Sequence, residues 1–193
     1  MKKLIYIILA FAFINCKAQQ TETELPTVGK AMPDFQLNDV HYYGKKKVFL
    51  RDFKGQWLIL DFWNQYCGVC LSSQPRINVL QSKFKGRVQF LLVGYTGSQY
   101  KHGSNNKSIR KLYERNRKDN NLNLVIAYDS LLMHRYEIKP TPYMIIIDPD
   151  GVVRGITTHV TESELQDLIS GKPVKLVPAY HSNKEALLAR PKK

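Results

Sequence analysis

Residues 56–63, QWLILDFW, are continuously apolar except for Gln56 and Asp61, and Cys67 and Cys70 follow within a few residues. A run with apolar residues at consecutive positions cannot leave one face in water. It suits a strand covered on both faces, as in the interior of a parallel or mixed sheet. The chain is thereby committed to layers: a central sheet with something packed above and below it.

The rest of the sequence supplies those layers. RVQFLLVGY (87–95) and LNLVIAYD (122–129) read as two more buried strands. Cys67 to Lys85 carries helical spacing, with Cys70, Ile77, Leu80 and Phe84 near one stripe. Gly94 to Asn106 reads as a polar loop. Ser108 to Lys118 reads as a charged helix whose apolar stripe is Ile109, Leu112 and Tyr113. SLLMHRYEI (130–138) reads as a short helix that Ser130 or Asp129 could cap. YMIIIDPDGVVRGI (143–156) places two apolar runs around Asp-Pro-Asp-Gly, a strong hairpin signal. Thr161 and Glu164 stand in capping-box spacing ahead of a last helix. Nearer the N-terminus, VGKAMPDFQLNDV mixes turn formers with a short apolar alternation, and KKKVFLRDF suits a strand and turn. The expectation is an α/β fold with a mixed sheet, and no internal repeat is present.

The chain has 193 residues, 44% of them hydrophobic, enough for one domain with a sizeable core plus appendages. Its formal charge is +13. The cations gather at Lys45–Lys47 and along Arg110, Lys111, Arg115, Arg117 and Lys118. These runs lack the interleaved aromatics of a nucleic-acid surface, so no nucleic-acid partner is expected. Attraction to anionic lipid headgroups is compatible with them.

Met1-Lys2-Lys3 followed by the unbroken apolar run Leu4–Ile14 matches an export signal, and the run is short for a membrane span. A buried first helix is the competing reading. The run ends in FINCKAQQTE, which resembles a lipobox with Cys16 as the lipidation site, although Asn15 departs from the usual small residue. Cleavage after Ala18 is the alternative, leaving a soluble protein. The expected organisation is a signal peptide at 1–18, a tether at 19–27, one domain at 28–175 and a tail or linker at 176–193. The protein is expected outside the cytoplasm, in the periplasm or anchored facing it, where disulfides persist.

Three cysteines leave one over. With Cys16 lipidated or removed, Cys67 and Cys70 remain as a pair. If Cys67 starts the helix, the two lie on one face of its first turn, with Cα atoms within disulfide reach. Free N–H groups and positive potential at a helix start favour a thiolate on Cys67, which should be exposed there, whereas Cys70 lies inside the first turn. Such a sulfur attacks disulfides near neutral pH and also leaves well. A zinc clip needs about four ligands, and neither a second Cys pair nor a histidine cluster exists, so no metal is expected. An inert disulfide across one turn closes a tiny loop and constrains little of the unfolded chain. No cofactor is expected.

From Val28 to Gly171 the chain resembles the thioredoxin superfamily, and more closely its exported TlpA-like branch. LILDFWNQYCGVC, Pro75 five residues after Cys70, KPTPYMIIIDPDG and VGKAMPDFQL carry the resemblance in order. It implies a three-layer sandwich, a mixed β-sheet flanked by helices, with an N-terminal extension and an insertion before the half containing a cis-proline. It implies Cys67 as the attacking and Cys70 as the resolving cysteine of a redox-active disulfide. It implies a cis bond at Pro142 after Thr141, with Tyr66, Gly68, Val69, Thr141 and Pro142 meeting the substrate. Asp61 corresponds to a buried acid beneath the site; burial should raise its pKa, so that it can accept the Cys70 proton. An ordinary strand-end acid bonded to nearby amides is the alternative.

Three positions depart from the family pattern: Val69 replaces a proline, Tyr66 a tryptophan, and Ser73 the glutamate of many TlpA-like reductases. The resemblance implies an exported thiol–disulfide oxidoreductase reducing disulfides of client proteins, recharged by an upstream dithiol donor. A thiol peroxidase is a second reading, although Asn64 stands where those enzymes carry threonine. A non-enzymatic client-binding or metallochaperone module is a third.

Overall fold

The computed structural model describes residues 25–98, 105–182 and 185. Residues 1–24, with Cys16, lie outside the described residues, as do residues 99–104 of the expected insertion.

The apolar runs form the centre of a six-stranded sheet. Its strands are β2 (Val40–His41), β4 (Trp57–Trp63), β5 (Val88–Tyr95), β6 (Val125–Asp129), β7 (Tyr143–Ile147) and β8 (Val153–Thr157), in the order β2-β6-β5-β4-β7-β8. β4, β5 and β6 run parallel, while β7, β8 and β2 run antiparallel to their neighbours, so the sheet is mixed. β1 (Gln36–Leu37) and β3 (Val48–Phe49) make a separate two-stranded ribbon. The expected alternation before it is visible as buried Phe35 and Leu37 either side of exposed Gln36.

Period-two alternation divides the core into two layers. Leu58, Leu60 and Phe62 of β4 join one cluster with Leu91, Val93 and Ile145, covered by the N-terminal extension and by α3 (Leu132–Arg135). Ile59 and Trp63 join the other with Leu92, Ile126 and Met144, covered by α1 (Gly68–Lys83), α2 (Asn106–Asp119) and α4 (Glu162–Ile169). The expected stripe of α1 is buried at Cys70, Ile77, Leu80 and, at the cap, Phe84. α4 opens on the expected capping box, Thr161 with Glu164. The cap of α3 comes from Asp129, whose Oδ2 accepts the amides of Leu131 and Leu132.

Pro75 lies inside α1. It has no N–H to give the carbonyl of Leu71 one turn earlier. That carbonyl instead accepts Nδ2 of Asn116 on α2 at 2.9 Å, and the same amide reaches Oε1 of the buried Gln74 at 2.7 Å. The helix break is thus repaired by the neighbouring helix.

Three boundaries differ from expectation. Gly94 and Tyr95, which the sequence offers both to the strand 87–95 and to the start of the polar loop, go to β5, because their backbone pairs with Tyr128 and Asp129 of β6. α2 begins at Asn106. The stretch read as a tail is packed at its start: Leu176 and Ala179 lie against the two core layers. Its backbone pairs with the edge strand β8, through Thr158 N–H to the Val177 carbonyl and Ala179 N–H to the Ile156 carbonyl, both at 3.3 Å. A Cβ on Gly155 would lie 2.3 Å from Leu176 Cδ1, so the segment crosses β8 where the side chain is missing. The strand edge is covered by this strap.

Candidate active site

Cys67 caps α1, and Cys67 and Cys70 are joined as a disulfide with Cα atoms 5.2 Å apart. Cys67 Sγ accepts the Cys70 amide at 3.2 Å, so a helix-start N–H is spent on that sulfur. Cys67 was expected to be exposed. It is buried, at 8% against 2% for Cys70, because the bridge folds its sulfur back over the first turn. The order of access stands, by a small margin. Around the pair Tyr66 and Val69 are exposed, at 58% and 66%, and the space over Gly68 is open.

The peptide bond between Thr141 and Pro142 is cis. The loop it forms reaches the cysteine turn through a residue that sequence reasoning passed over. Asn64 Nδ2 donates to Thr141 Oγ1 at 3.0 Å. Its only sequence signal was an amide where the related peroxidases have threonine. The strand after the cis bond is also held by the strap, since His181 lies between the Tyr136 carbonyl, 3.1 Å from Nδ1, and the Tyr143 hydroxyl, 3.5 Å from Nε2.

Asp61 follows the alternation of Ile59 and Trp63, so it points to the α1 side of the sheet, the side that buries Cys70. Its register neighbours are Leu92 and Met144, both apolar. Its Oδ1 has no hydrogen-bond partner. Burial pushes its pKa up to about 7, with the Arg76 guanidinium pulling the other way. The described residues contain no group of three or more His, Cys, Asp or Glu suited to a metal.

A disulfide-bonded cysteine pair at a helix start, held beside a cis-proline loop on a mixed sheet, defines a thioredoxin-like protein whose chemistry is thiol–disulfide exchange. Residues 28–156 match the AhpC/TSA family, and the chain belongs to that family. It is 27% identical over 164 residues to the thiol-disulfide oxidoreductase ResA of Bacillus thuringiensis, covering 83% of this chain and 87% of that protein. The ResA of Bacillus subtilis is 26% identical over 169 residues, covering 86% and 88%. Among solved structures, the thioredoxin domain of a Bacteroides vulgatus thiol-disulfide oxidoreductase superposes with a TM-score of 0.56 at 17% identity, over 75% of this chain and 96% of that one. An exposed lipoprotein thioredoxin of Streptococcus pneumoniae gives 0.56 at 22%, over 72% and 99%. At these identities the structural likeness concerns the fold. Family, relatives and disulfide together make the chain a thiol–disulfide oxidoreductase.

Proposed function

We propose that the protein is exported and reduces disulfides in client proteins. The observation that carries the reading is the Cys67–Cys70 couple at the start of α1, tied to the Thr141–Pro142 loop. In the reduced protein the Cys67 thiolate attacks one sulfur of a client disulfide. The client S–S bond breaks, its other sulfur leaves as a thiolate and takes a proton from solvent. Cys70 then gives its proton to ionised Asp61 and attacks Cys67. The second client sulfur leaves, the Cys67–Cys70 disulfide forms, and two electrons have passed to the client. An upstream dithiol restores the reduced state. Tyr66, Gly68 and Val69 bound the attack site, and Thr141 with Pro142 receives the client backbone by strand-like pairing.

Export is supported by the Lys-led apolar opening, and lipidation at Cys16 by the lipobox-like FINC. No helix among the described residues is long and apolar enough to cross a membrane. Recovery in the detergent phase that is lost in Cys16→Ala tests the lipidation; a mature protein starting at Gln19 would overturn it.

Cys70→Ser tests the activity. It should trap client proteins on Cys67 as mixed disulfides that dithiothreitol releases, and the unmutated protein should reduce insulin. A trap that captures nothing, together with rapid peroxide consumption by the unmutated protein, would favour the peroxidase reading. Insulin reduction that survived loss of both cysteines would remove the couple from the mechanism.

A further inference from the structure

Asn64 is buried, and both ends of its side chain are used. Oδ1 accepts the Tyr66 amide at 2.8 Å, and the backbone carbonyl of Asn64 accepts the Cys67 amide at 3.1 Å. These bonds shape the turn that delivers Cys67. Because the Tyr66 N–H can only donate, it fixes which way the Asn64 amide faces. Nδ2 must therefore be the atom that meets Thr141, with the threonine hydroxyl accepting at 3.0 Å. One amide thus joins two segments 77 residues apart in sequence. One segment carries the attacking sulfur and the other carries the cis bond. A cleft of about 330 Å³ opens beside this bridge, walled by Asn64, Tyr95, Met133, Ile138 and Lys139. The bridge therefore borders a space that a client side chain can enter.

We propose that Asn64 is a positioning residue for client disulfides. It sets the spacing between the Cys67 turn and the Thr141–Pro142 loop, and so places a client strand lying on that loop in register with the sulfur. The inference rests on the client-reductase reading above. Among the described residues Asn64 makes no hydrogen bond to either sulfur, so its effect falls on substrates long enough to lie on the loop. A small disulfide that reaches Cys67 without touching the loop is the internal control.

The experiment compares kcat/KM for a disulfide-linked peptide with that for 5,5′-dithiobis(2-nitrobenzoic acid). The ratio of the two should fall about tenfold in Asn64→Ala, as loss of a buried hydrogen bond implies, and the fall should lie mainly in KM. Thr141→Val, which removes the acceptor from the other side, should lower the ratio similarly and covers the case of an Asn64 variant that fails to fold. The double variant should be no worse than the worse single variant, because both remove one bond. A ratio untouched in both single variants overturns the proposal, as does a double variant whose losses multiply to about a hundredfold. A wild-type protein that leaves the peptide disulfide intact sinks the client-reductase reading and this inference with it. A wild type that reduces the peptide while both variants keep the ratio sinks this inference alone.

Discussion

Asp148 follows β7 at the hairpin turn, and Asp61 lies within the neighbouring strand β4; 6% and 3% of their surfaces stay exposed. The two carboxylates are equally hidden but differently served. Oδ1 of Asp148 accepts the amides of Asp150 at 3.0 Å and Val152 at 2.8 Å, and Oδ2 accepts Arg154 Nε at 2.6 Å. Each bond organises the Asp-Pro-Asp-Gly turn, where Gly151 takes the φ of +85° that the turn requires. Asp61 sits between Leu92 and Met144, with Oδ1 unpartnered and its pKa raised to about 7 by burial. A hidden carboxylate surrounded by donors is committed to the fold. One left without donors holds its proton loosely near neutrality and is free to exchange it. Burial alone does not separate the two roles; the partners do.

The largest expected effect is on stability against pH. Asp61 has a pKa of about 7 in the folded protein, against roughly 3.9 for an unperturbed aspartate. Between these values the folded state keeps a proton that the unfolded state has lost. The favourable contribution is therefore complete below about pH 4 and is lost as pH rises to about 7. Three units correspond to about 4 kcal/mol. In denaturant titrations at stepped pH, Asp61→Asn should gain on the wild type across that window by an amount of this order. A constant difference between the two proteins would mean that Asp61 is ionised and satisfied, and the contrast with Asp148 would collapse.

Asp148→Ala should act in the opposite sense. It leaves two turn amides without their acceptor and frees the half-exposed Arg154 guanidinium to solvent, at a cost of about 3 kcal/mol. The loss should be visible as a lowered urea midpoint, while the reduction potential of the Cys67–Cys70 couple stays at the wild-type value. A shifted potential with unaltered stability would reverse the roles assigned to the two residues.

The third effect is kinetic. Asp61→Asn should slow decay of a Cys67 mixed disulfide by about a hundredfold, the scale of general base catalysis, and leave its formation nearly untouched. Rapid-quench measurement of both steps checks this. Equal slowing of the two, or of neither, would make Asp61 a structural residue like Asp148.

What could be read from the sequence followed the physics of near neighbours. Continuous apolar runs located β4 to β8, and Thr161 with Glu164 marked the start of α4, because strands and caps are decided by residues close in sequence. The burial of Asp61 was legible for the same reason: an acid at an inward position of an apolar strand has nowhere else to go. The features that escaped are polar and distant. Asn64 meets Thr141, and Asn116 repairs the break at Pro75, through single hydrogen bonds that leave no periodic trace. The strap escaped because it is held by backbone pairing to β8 and by two apolar contacts, Leu176 and Ala179, too few to register as a pattern. The burial of Cys67 escaped because the bridge to Cys70 draws its sulfur inward.

The smallest expected effect concerns the cation that does act on Asp61. Arg76 lies about two and a half turns along α1 from Cys67 and donates to the Val160 carbonyl, and its charge opposes the rise that burial imposes on Asp61. Removing that charge should let the Asp61 pKa climb further. Because the guanidinium is exposed to solvent and to salt, the change should be small. In the proposed mechanism ionised Asp61 takes the Cys70 proton, so the pH profile of mixed-disulfide decay reports the change. In Arg76→Met the rising limb of that profile should move to higher pH by a fraction of a unit, and added salt should move the wild type the same way while leaving the variant alone. Arg76→Lys, which keeps the charge, should restore the wild-type position. A profile that shifts in Arg76→Met but is not restored by Arg76→Lys would trace the effect to the lost bond with Val160. Asp61 would then be governed by burial alone, with no cation moderating it.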